Sequence, residues 1–217
     1  MPANSDWAGE WVAAKLREEK AVSAVDVISP TLLSIHRVAH GPAVVAVTAA
    51  SSLDEGELIN LSNQTPTPHF LVNASGDFVL TPKAFGRSEA RGLPVGGMGD
   101  IKRALGLANI SEYLNPEIEF VERGMRQHSR VTTFERMDER RYRVFRNAPL
   151  SPVVVMLINE YDLTAEHVRT ARDRYGTFDR ILVTNPNGRI TDSAHEVALL
   201  MNVGVGHWRD FTRDLHK

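Results

Sequence analysis

The sequence predicts an α/β protein made of two related three-layer α/β/α units, over residues 1–110 and 111–217. Short hydrophobic runs alternate with amphipathic segments, which is typical of a mixed sheet covered by helices on both faces. The halves also share residues at a spacing of about 110: Pro42, Val44, Val45, Val95, Gly96, Asp100, Arg103 and Leu105 recur as Pro152, Val154, Val155, Val205, Gly206, Asp210, Arg213 and Leu215. A repeat this long predicts an intramolecular pseudo-dimer of two domains, not a solenoid.

A second pair of matches lies between these blocks. Asn73 and Gly76 recur as Asn185 and Gly188, displaced by two further residues. This displacement predicts that one loop of the second half grew by two residues and that a later loop shrank.

The first half begins with a predicted helix over residues 5–20, where Trp7, Trp11 and Leu16 recur at helical spacing. The segments AVDVI and LLSIHRVA then form a hairpin, and GPAVVAVTAA forms a buried strand. A helix from Leu53 to Leu61, the strand HFLVNASG, the short strand LPVGG and a helix capped by Asp100 complete this half.

The second half repeats this order. The predicted elements are a helix over 115–130, a hairpin of VTTFERM and RRYRVFR, the buried strand PVVVMLI, a helix over 164–175, the strand FDRILVTNPNG, a helix over 191–201, the short strand VGVGHW and a closing helix over 210–215. The common order expected for each half is therefore helix, hairpin, buried strand, helix, strand, helix, short strand, helix, although no segment of the first half is assigned to the helix before its short strand.

Composition narrows the classes of function. The 217 residues include no cysteine, which excludes disulfides, thiolate metal sites and cysteine nucleophiles. No apolar run approaches the roughly 18 residues of a membrane span, and the first residues lack a secretory leader pattern, so we expect no membrane partner and a cytoplasmic location. A net charge of -2 requires any nucleic-acid binding to use a local basic patch.

The segment from Ile181 to Leu215 resembles the second half of the core of Mrr-type restriction endonuclease-like domains. It has a strand ending in Thr-Asn, a turn, a Thr that begins an Ala-rich helix, a short strand with Gly-Val, and a last amphipathic helix. The order of elements before it is also similar to that fold. The resemblance implies two endonuclease-like units.

The resemblance also implies a catalytic pattern: an acidic residue on the second hairpin strand, then Glu/Asp/Gln-x-Lys on the buried strand, together holding Mg²⁺ and a water. The strands LLSIHRVA, AVVAVTAA, RRYRVFR and VVVMLI contain neither a carboxylate nor a lysine. We therefore expect a non-catalytic protein without metal or cofactor. The carboxylates near strand ends leave an enzyme of another design open: Asp54, Glu55, Glu57, Glu160 and Asp162.

Residues 123–146 hold eight arginines against three acids, with aromatic residues interleaved. Guanidinium groups suit phosphates and aromatic rings can stack on bases, so the hairpin is the predicted nucleic-acid site. Its candidate residues are Arg136, Arg140, Arg141, Tyr142, Arg143 and Arg146. Alternatively, the arginines pair with nearby acids such as Glu117, Glu119 and Glu122.

The turn TNPNGR and the following helix start offer a second, weaker site for a phosphate or nucleotide. Its residues are Asn185, Asn187, Gly188, Arg189, Thr191 and Ser193. Turn formation and helix capping explain the same residues without a ligand. A nucleotide or second-messenger sensor is one alternative function.

A protein-protein scaffold or homo-oligomer without nucleic acid is another alternative. Trp7, Trp11 and Phe120 lie on corresponding helices and could serve such contacts. The eight histidines form no recognisable ligand motif, which predicts surface or core roles for them.

Overall fold

The computed structural model describes residues 6–75 and 78–216, and the chain divides into two compact units, Met1–Asn115 and Pro116–Lys217. The unit boundary lies a few residues after the position that the sequence suggested. Each unit has its own five-stranded mixed sheet and its own helices, so the α/β class is confirmed.

The first unit consists of α1 (Asp6–Arg17), β1 (Val22–Ser29), β2 (Leu32–Arg37), β3 (Ala43–Thr48), β4 (Ser52–Leu53), α2 (Glu55–Ser62), β5 (Phe70–Asn73), β6 (Val79–Leu80), α3 (Pro82–Arg91), β7 (Val95–Gly96), α4 (Met98–Ala104) and the 3-10 turn Ile110–Glu112. Its main sheet has the order β1-β2-β3-β5-β7. The first three strands form an antiparallel meander, and β5 and β7 continue parallel to β3. Strands β4 and β6 form a separate short parallel pair.

The second unit consists of α5 (Pro116–Gln127), β8 (Val131–Arg136), β9 (Arg141–Arg146), β10 (Val153–Ile158), β11 (Asp162–Leu163), α6 (Ala165–Tyr175), β12 (Arg180–Val183), β13 (Arg189–Ile190), α7 (Asp192–Leu200), β14 (Gly204–His207) and α8 (Trp208–Asp214). Its sheet order is β8-β9-β10-β12-β14, with the same sequence of antiparallel and parallel pairs. Strands β11 and β13 form the matching short pair.

Strand register relates the two units residue by residue. Val45 pairs with Phe70 in the first sheet, and Val155 pairs with Arg180 in the second, so both partners keep the spacing of 110. Asn73 therefore corresponds to Val183 and not to Asn185. The predicted displacement by two residues is wrong for Asn73, and Gly76 lies outside the described residues.

Helices cover both faces of each sheet. In the second unit Val155, Leu157 and Leu182 pack with α5 and α8, whereas Met156 and Ile181 on the opposite face pack with α6 and α7. The first unit repeats this division, with α1 and α4 on one face and α2 and α3 on the other. The alternation of strand side chains between two apolar layers explains the continuous hydrophobic runs of the buried strands.

Two helices of the first unit differ from the expectation. The helix α3 was not predicted, although Thr81 accepts a hydrogen bond from Ala84 N, Pro82 occupies its first turn, and Gly92 closes it in the left-handed conformation. Asp100 is the third residue of α4 and not its cap, because its carboxylate reaches back to Gly97 N at 2.9 Å. No helix in the described part of the chain is long and apolar enough to cross a bilayer.

Candidate nucleic-acid interface

The predicted arginine hairpin, β8 and β9, forms one edge of the second sheet. One face of β9 carries Tyr142 and Val144, which are buried against α5 and α8. The five hairpin arginines that the sequence selected are all at least partly buried, and none is fully exposed. Their contacts therefore decide how much of the positive charge reaches the surface.

Arg141 belongs to a buried ion pair. Its Nε donates to Asp138 Oδ2 at 2.8 Å, and the two side chains are 11% and 1% exposed. The other oxygen of Asp138 accepts from the backbone nitrogens of Arg140 and Arg141 at 3.0 and 2.7 Å. The pair holds the β8–β9 turn, so Arg141 serves the hairpin's own conformation.

Arg140 lies at the carboxyl edge of the sheet, where a polar cluster surrounds Glu117. Arg140 Nη1 approaches both carboxylate oxygens at 3.2 and 3.3 Å, Asn159 Nδ2 donates at 2.9 Å, and Thr184 Oγ1 donates at 2.6 Å. Glu117 begins the first turn of α5, whereas Asn159 and Thr184 follow β10 and β12 directly. Tertiary folding brings these residues together, and the sequence reasoning missed Asn159 and Thr184.

The described residues of the first unit form no such cluster. Thr184 N and Ala74 N make the same backbone hydrogen bond at the end of the preceding strand pair, which identifies Ala74 as the counterpart of Thr184. Ala49 follows β3 as Asn159 follows β10, and both alanines pack against the first unit's core. The first unit therefore has alanines at the positions of Asn159 and Thr184.

Arg136 and Tyr142 also have internal partners. Arg136 donates to Glu139 O at 3.2 Å, and its guanidinium lies 5.9 Å from the centre of the Tyr142 ring. The Tyr142 side chain is fully buried, and its hydroxyl donates to Glu122 Oε1 at 2.9 Å. This ring is therefore not available to stack on a nucleobase.

Arg143 and Arg146 complete the hairpin set. Arg143 forms a surface pair with Glu135 at 3.5 Å. Arg146 donates from Nε to Ser151 O at 2.8 Å, as Arg37 of the first unit does to Gly41 O at 2.7 Å. Burial lowers the pKa of both Arg146 and Arg37. The repetition in both units indicates that Arg146 anchors the loop after its strand.

In the turn predicted to hold a phosphate, polar groups form hydrogen bonds with one another. Asn185 Oδ1 accepts from Asn187 N at 3.0 Å, and Gly188 N donates to Asn185 O at 3.0 Å. Arg189 lies over the exposed ring of Tyr161 at 5.6 Å. These contacts are those of a closed turn.

The helix start that follows the turn is capped internally. Thr191 Oγ1 accepts from Ala194 N at 3.2 Å and contacts Ser193 Oγ at 3.1 Å. Thr81 caps α3 in the same way in the first unit. Because both units share this threonine cap, the cap is part of the fold and does not by itself indicate a phosphate site.

Two of the five carboxylates considered for catalysis have structural partners within the first unit. Asp54 caps α2 by accepting from Glu57 N at 2.8 Å, and Glu55 pairs with Arg87 at 2.9 Å. Burial, followed by the neighbouring Asp54 charge, raises the pKa of Glu57. Within residues 6–75 and 78–216 no group of three His, Asp or Glu side chains is placed to hold a metal ion.

A second set of arginines is exposed on the helices α5 and α8. We call it the α5–α8 surface, and it consists of Phe120, Arg123, Arg126, Arg130, Arg209 and Arg213, all of which are exposed. Arg126 pairs with Glu122, and Arg213 pairs with Asp210. The side chains of Arg123 and Arg209 make no hydrogen bond or ion pair with other described residues.

The helices α5 and α8 lie side by side and run in the same direction. At one point Trp208 fills the space next to Gly124, where a Cβ atom would lie 2.1 Å from the indole ring. One turn further along both helices, His128 Nε2 donates to Thr212 O at 3.1 Å. The exposed sides of the two helices therefore form one continuous surface.

Sequence reasoning found only part of this surface. Arg123, Arg126 and Arg130 lie within the arginine-rich segment, but only hairpin residues of that segment were predicted to bind nucleic acid. Arg209 and Arg213 are remote in sequence and are brought alongside by the packing of α8 on α5. Arg213 lies on the predicted closing helix over 210–215, but Arg209 precedes it, and the i, i+4 spacing of the two becomes meaningful only because α8 begins at Trp208.

Comparisons with known proteins do not assign the chain to a family. No model of a known protein family, no curated protein and no solved structure matches it. The function must therefore be argued from the chain's own residues.

Proposed function

We propose that this chain is a non-catalytic, endonuclease-like protein that binds nucleic acid through the α5–α8 surface of its second unit. The observation that carries the proposal is the contrast in exposure. The hairpin arginines are partly buried and bonded internally, whereas five arginines of α5, the following turn and α8 are exposed on adjoining elements. Phosphate contacts from arginine supply most of the sequence-independent affinity of nucleic-acid-binding proteins.

The distribution of charge between the units supports this assignment. Residues 116–217 contain 16 Lys and Arg against 15 Asp and Glu, and residues 1–115 contain 9 against 12. On the corresponding helices of the first unit, Lys15, Lys102 and Arg103 are each within ion-pair distance of an acid. A local patch on the second unit is thus the better candidate for binding an anionic polymer.

The endonuclease-like ancestry and the pseudo-dimer are parts of the same proposal. They are supported by the shared strand order of the two sheets. The non-catalytic part is supported by the absence of a carboxylate and a lysine from the strands where the resemblance requires them. We regard the carboxyl edge around Glu117 as a site without catalytic activity, since the strand VVVMLI supplies no second carboxylate and no lysine and Arg140 pairs with Glu117.

The proposal is tested by fluorescence anisotropy with labelled oligonucleotides across a series of salt concentrations. We expect the double variant R123Q/R209Q to bind more weakly, and its slope of log affinity against log salt to fall by about 1 to 2, since each lost phosphate contact contributes about 0.7 to 0.9. Both side chains are exposed, so the variant should fold normally.

Arg169 provides the matched control. It is exposed on α6, on the opposite face of the same sheet, and R169Q should leave the affinity unchanged. Unchanged affinity and salt slope in R123Q/R209Q, or no affinity for nucleic acid at low salt, would contradict the proposal.

A protein-protein scaffold is the second candidate, and one observation favours it. Leu199 and Leu200 at the end of α7 are 79% and 87% exposed, whereas the corresponding positions of α3 are Glu89 and Ala90. Adjacent exposed leucines often mark a protein contact. A pull-down with L199S/L200S, performed without nucleic acid, would separate this candidate from the first.

A further inference from the structure

Phe120 is the apolar member of the α5–α8 surface, and its position is unusual for a large ring. It is 47% exposed on the outer side of α5, one turn before Arg123 and two turns before Gln127. Its ring contacts Trp208 at 5.3 Å between centroids with an interplanar angle of 60°. The surface thus presents an aromatic ring beside arginines.

The packing of Trp208 holds Phe120 in place. Trp208 is wedged against Gly124 and contacts the buried Phe211 at 5.7 Å. Phe120 therefore packs against a partly buried indole ring while much of its own ring meets solvent. A ring already held by such a contact loses less side-chain entropy when it binds a flat partner.

The width of the surface argues against insertion into a duplex groove. Helix axes that pack together are about 8–10 Å apart, and each helix with its side chains is about 10–12 Å across, so the pair spans roughly 20 Å. The major groove of B-DNA is about 12 Å wide and admits a single helix. A duplex also hides the faces of its bases, which leaves Phe120 without a stacking partner.

We propose that the α5–α8 surface binds single-stranded nucleic acid, with a base stacked on Phe120 and the backbone phosphates on the flanking arginines. This inference rests on the proposed function and names its substrate class. Aromatic stacking on bases tolerates any sequence, and arginines that follow the backbone are the usual companion of such rings. Neither the ring nor the arginines require a particular base.

The test compares a labelled single strand of about 12 nucleotides with a duplex of the same length, at equal ionic strength, using the full chain. We expect F120L to weaken single-strand binding about tenfold, because leucine keeps the apolar contact but removes the π face. Duplex affinity should be unchanged. Trp11 is an exposed ring on the corresponding helix of the first unit, so W11L is the matched control and should have no effect.

A second readout follows Trp208 emission in a W7F/W11F background, where Trp208 is the remaining tryptophan. A base stacked on Phe120 should change that emission when the single strand is added, and the duplex should change it less. Equal affinity of F120L and the parent for the single strand, with Trp208 emission unaltered, would overturn the stacking inference. If R123Q/R209Q still weakens binding in that case, the proposed function stands; if no oligonucleotide binds, both fail.

Discussion

Asp138 holds the turn of the hairpin in the second unit. Its carboxylate is buried and accepts hydrogen bonds from two backbone nitrogens and from the guanidinium of Arg141. An acidic residue in a hairpin turn is usually exposed, but Asp138 is buried and holds the β8–β9 turn through these hydrogen bonds. Glu139, its neighbour, accepts a hydrogen bond from Tyr175 Oη at 2.9 Å and connects the same turn to α6.

We expect D138A to destabilise the protein by about 3–5 kcal/mol, because removing one partner leaves the buried Arg141 charge uncompensated. Urea unfolding followed by circular dichroism measures the change. The control is E135A, which removes only the surface partner of Arg143 and should cost less than about 1 kcal/mol. Equal losses in the two variants would contradict the assigned role of Asp138.

At the scale of elements, the junction of α5 with α8 depends on a neutral histidine. His128 Nδ1 accepts from Arg130 N at 3.2 Å, and its Nε2 donates to Thr212 O. A backbone N–H can only donate and a carbonyl can only accept, so both ring nitrogens are satisfied in the uncharged tautomer. Burial, the nearby His216 and Arg130 lower the pKa of His128, whereas the bond to Thr212 raises it.

Because the pKa of His128 is lower in the folded protein than its ordinary value of about 6.5, the unfolded chain binds the proton more readily. We expect stability to be full above about pH 6.5 and to fall as the pH drops from there through the lowered pKa. The slope should not exceed about 1.4 kcal/mol per pH unit for this one group.

Thermal unfolding of the parent and of H128Q at several pH values between about 5 and 7.5 measures this effect. Glutamine offers one acceptor and one donor but does not titrate in this range, so H128Q should lose less stability on acidification. His195 lies on α7, against the other face of the sheet, and H195Q should behave like the parent. Parallel pH profiles for the parent and H128Q would contradict the assignment.

At the scale of the whole molecule, each unit has its own sheet and its own two apolar layers. We expect residues 1–115 and 116–217, produced separately, each to fold and to unfold cooperatively in urea. If the proposed function is correct, nucleic-acid affinity should remain with 116–217 and be absent from 1–115.

Circular dichroism and the anisotropy assay applied to both fragments check this prediction. If the fragment 116–217 folds but does not bind nucleic acid while the full chain does, the binding surface does not lie on the second unit alone. A fragment without a cooperative transition would show that its core depends on the rest of the chain.

The sequence by itself determined the α/β class and most of the element order, because these follow from local periodicity and from a spacing of 110 residues that strand register preserves. The absence of carboxylates and lysines from the segments LLSIHRVA, AVVAVTAA, RRYRVFR and VVVMLI is also a property of the sequence alone. Helix α3 could have been inferred from Thr81, Pro82 and Gly92, whose capping signals are local.

Only the tertiary structure decided which arginines face solvent. Arg141 and Arg146 are bonded within the unit, whereas Arg209 comes beside α5 through the packing of Trp208 against Gly124. Alternation along a strand separates two faces but does not say which charges find acceptors on them. Exposure depends on contacts between residues that are far apart in the chain, and those contacts exist only once the helices have packed on the sheet.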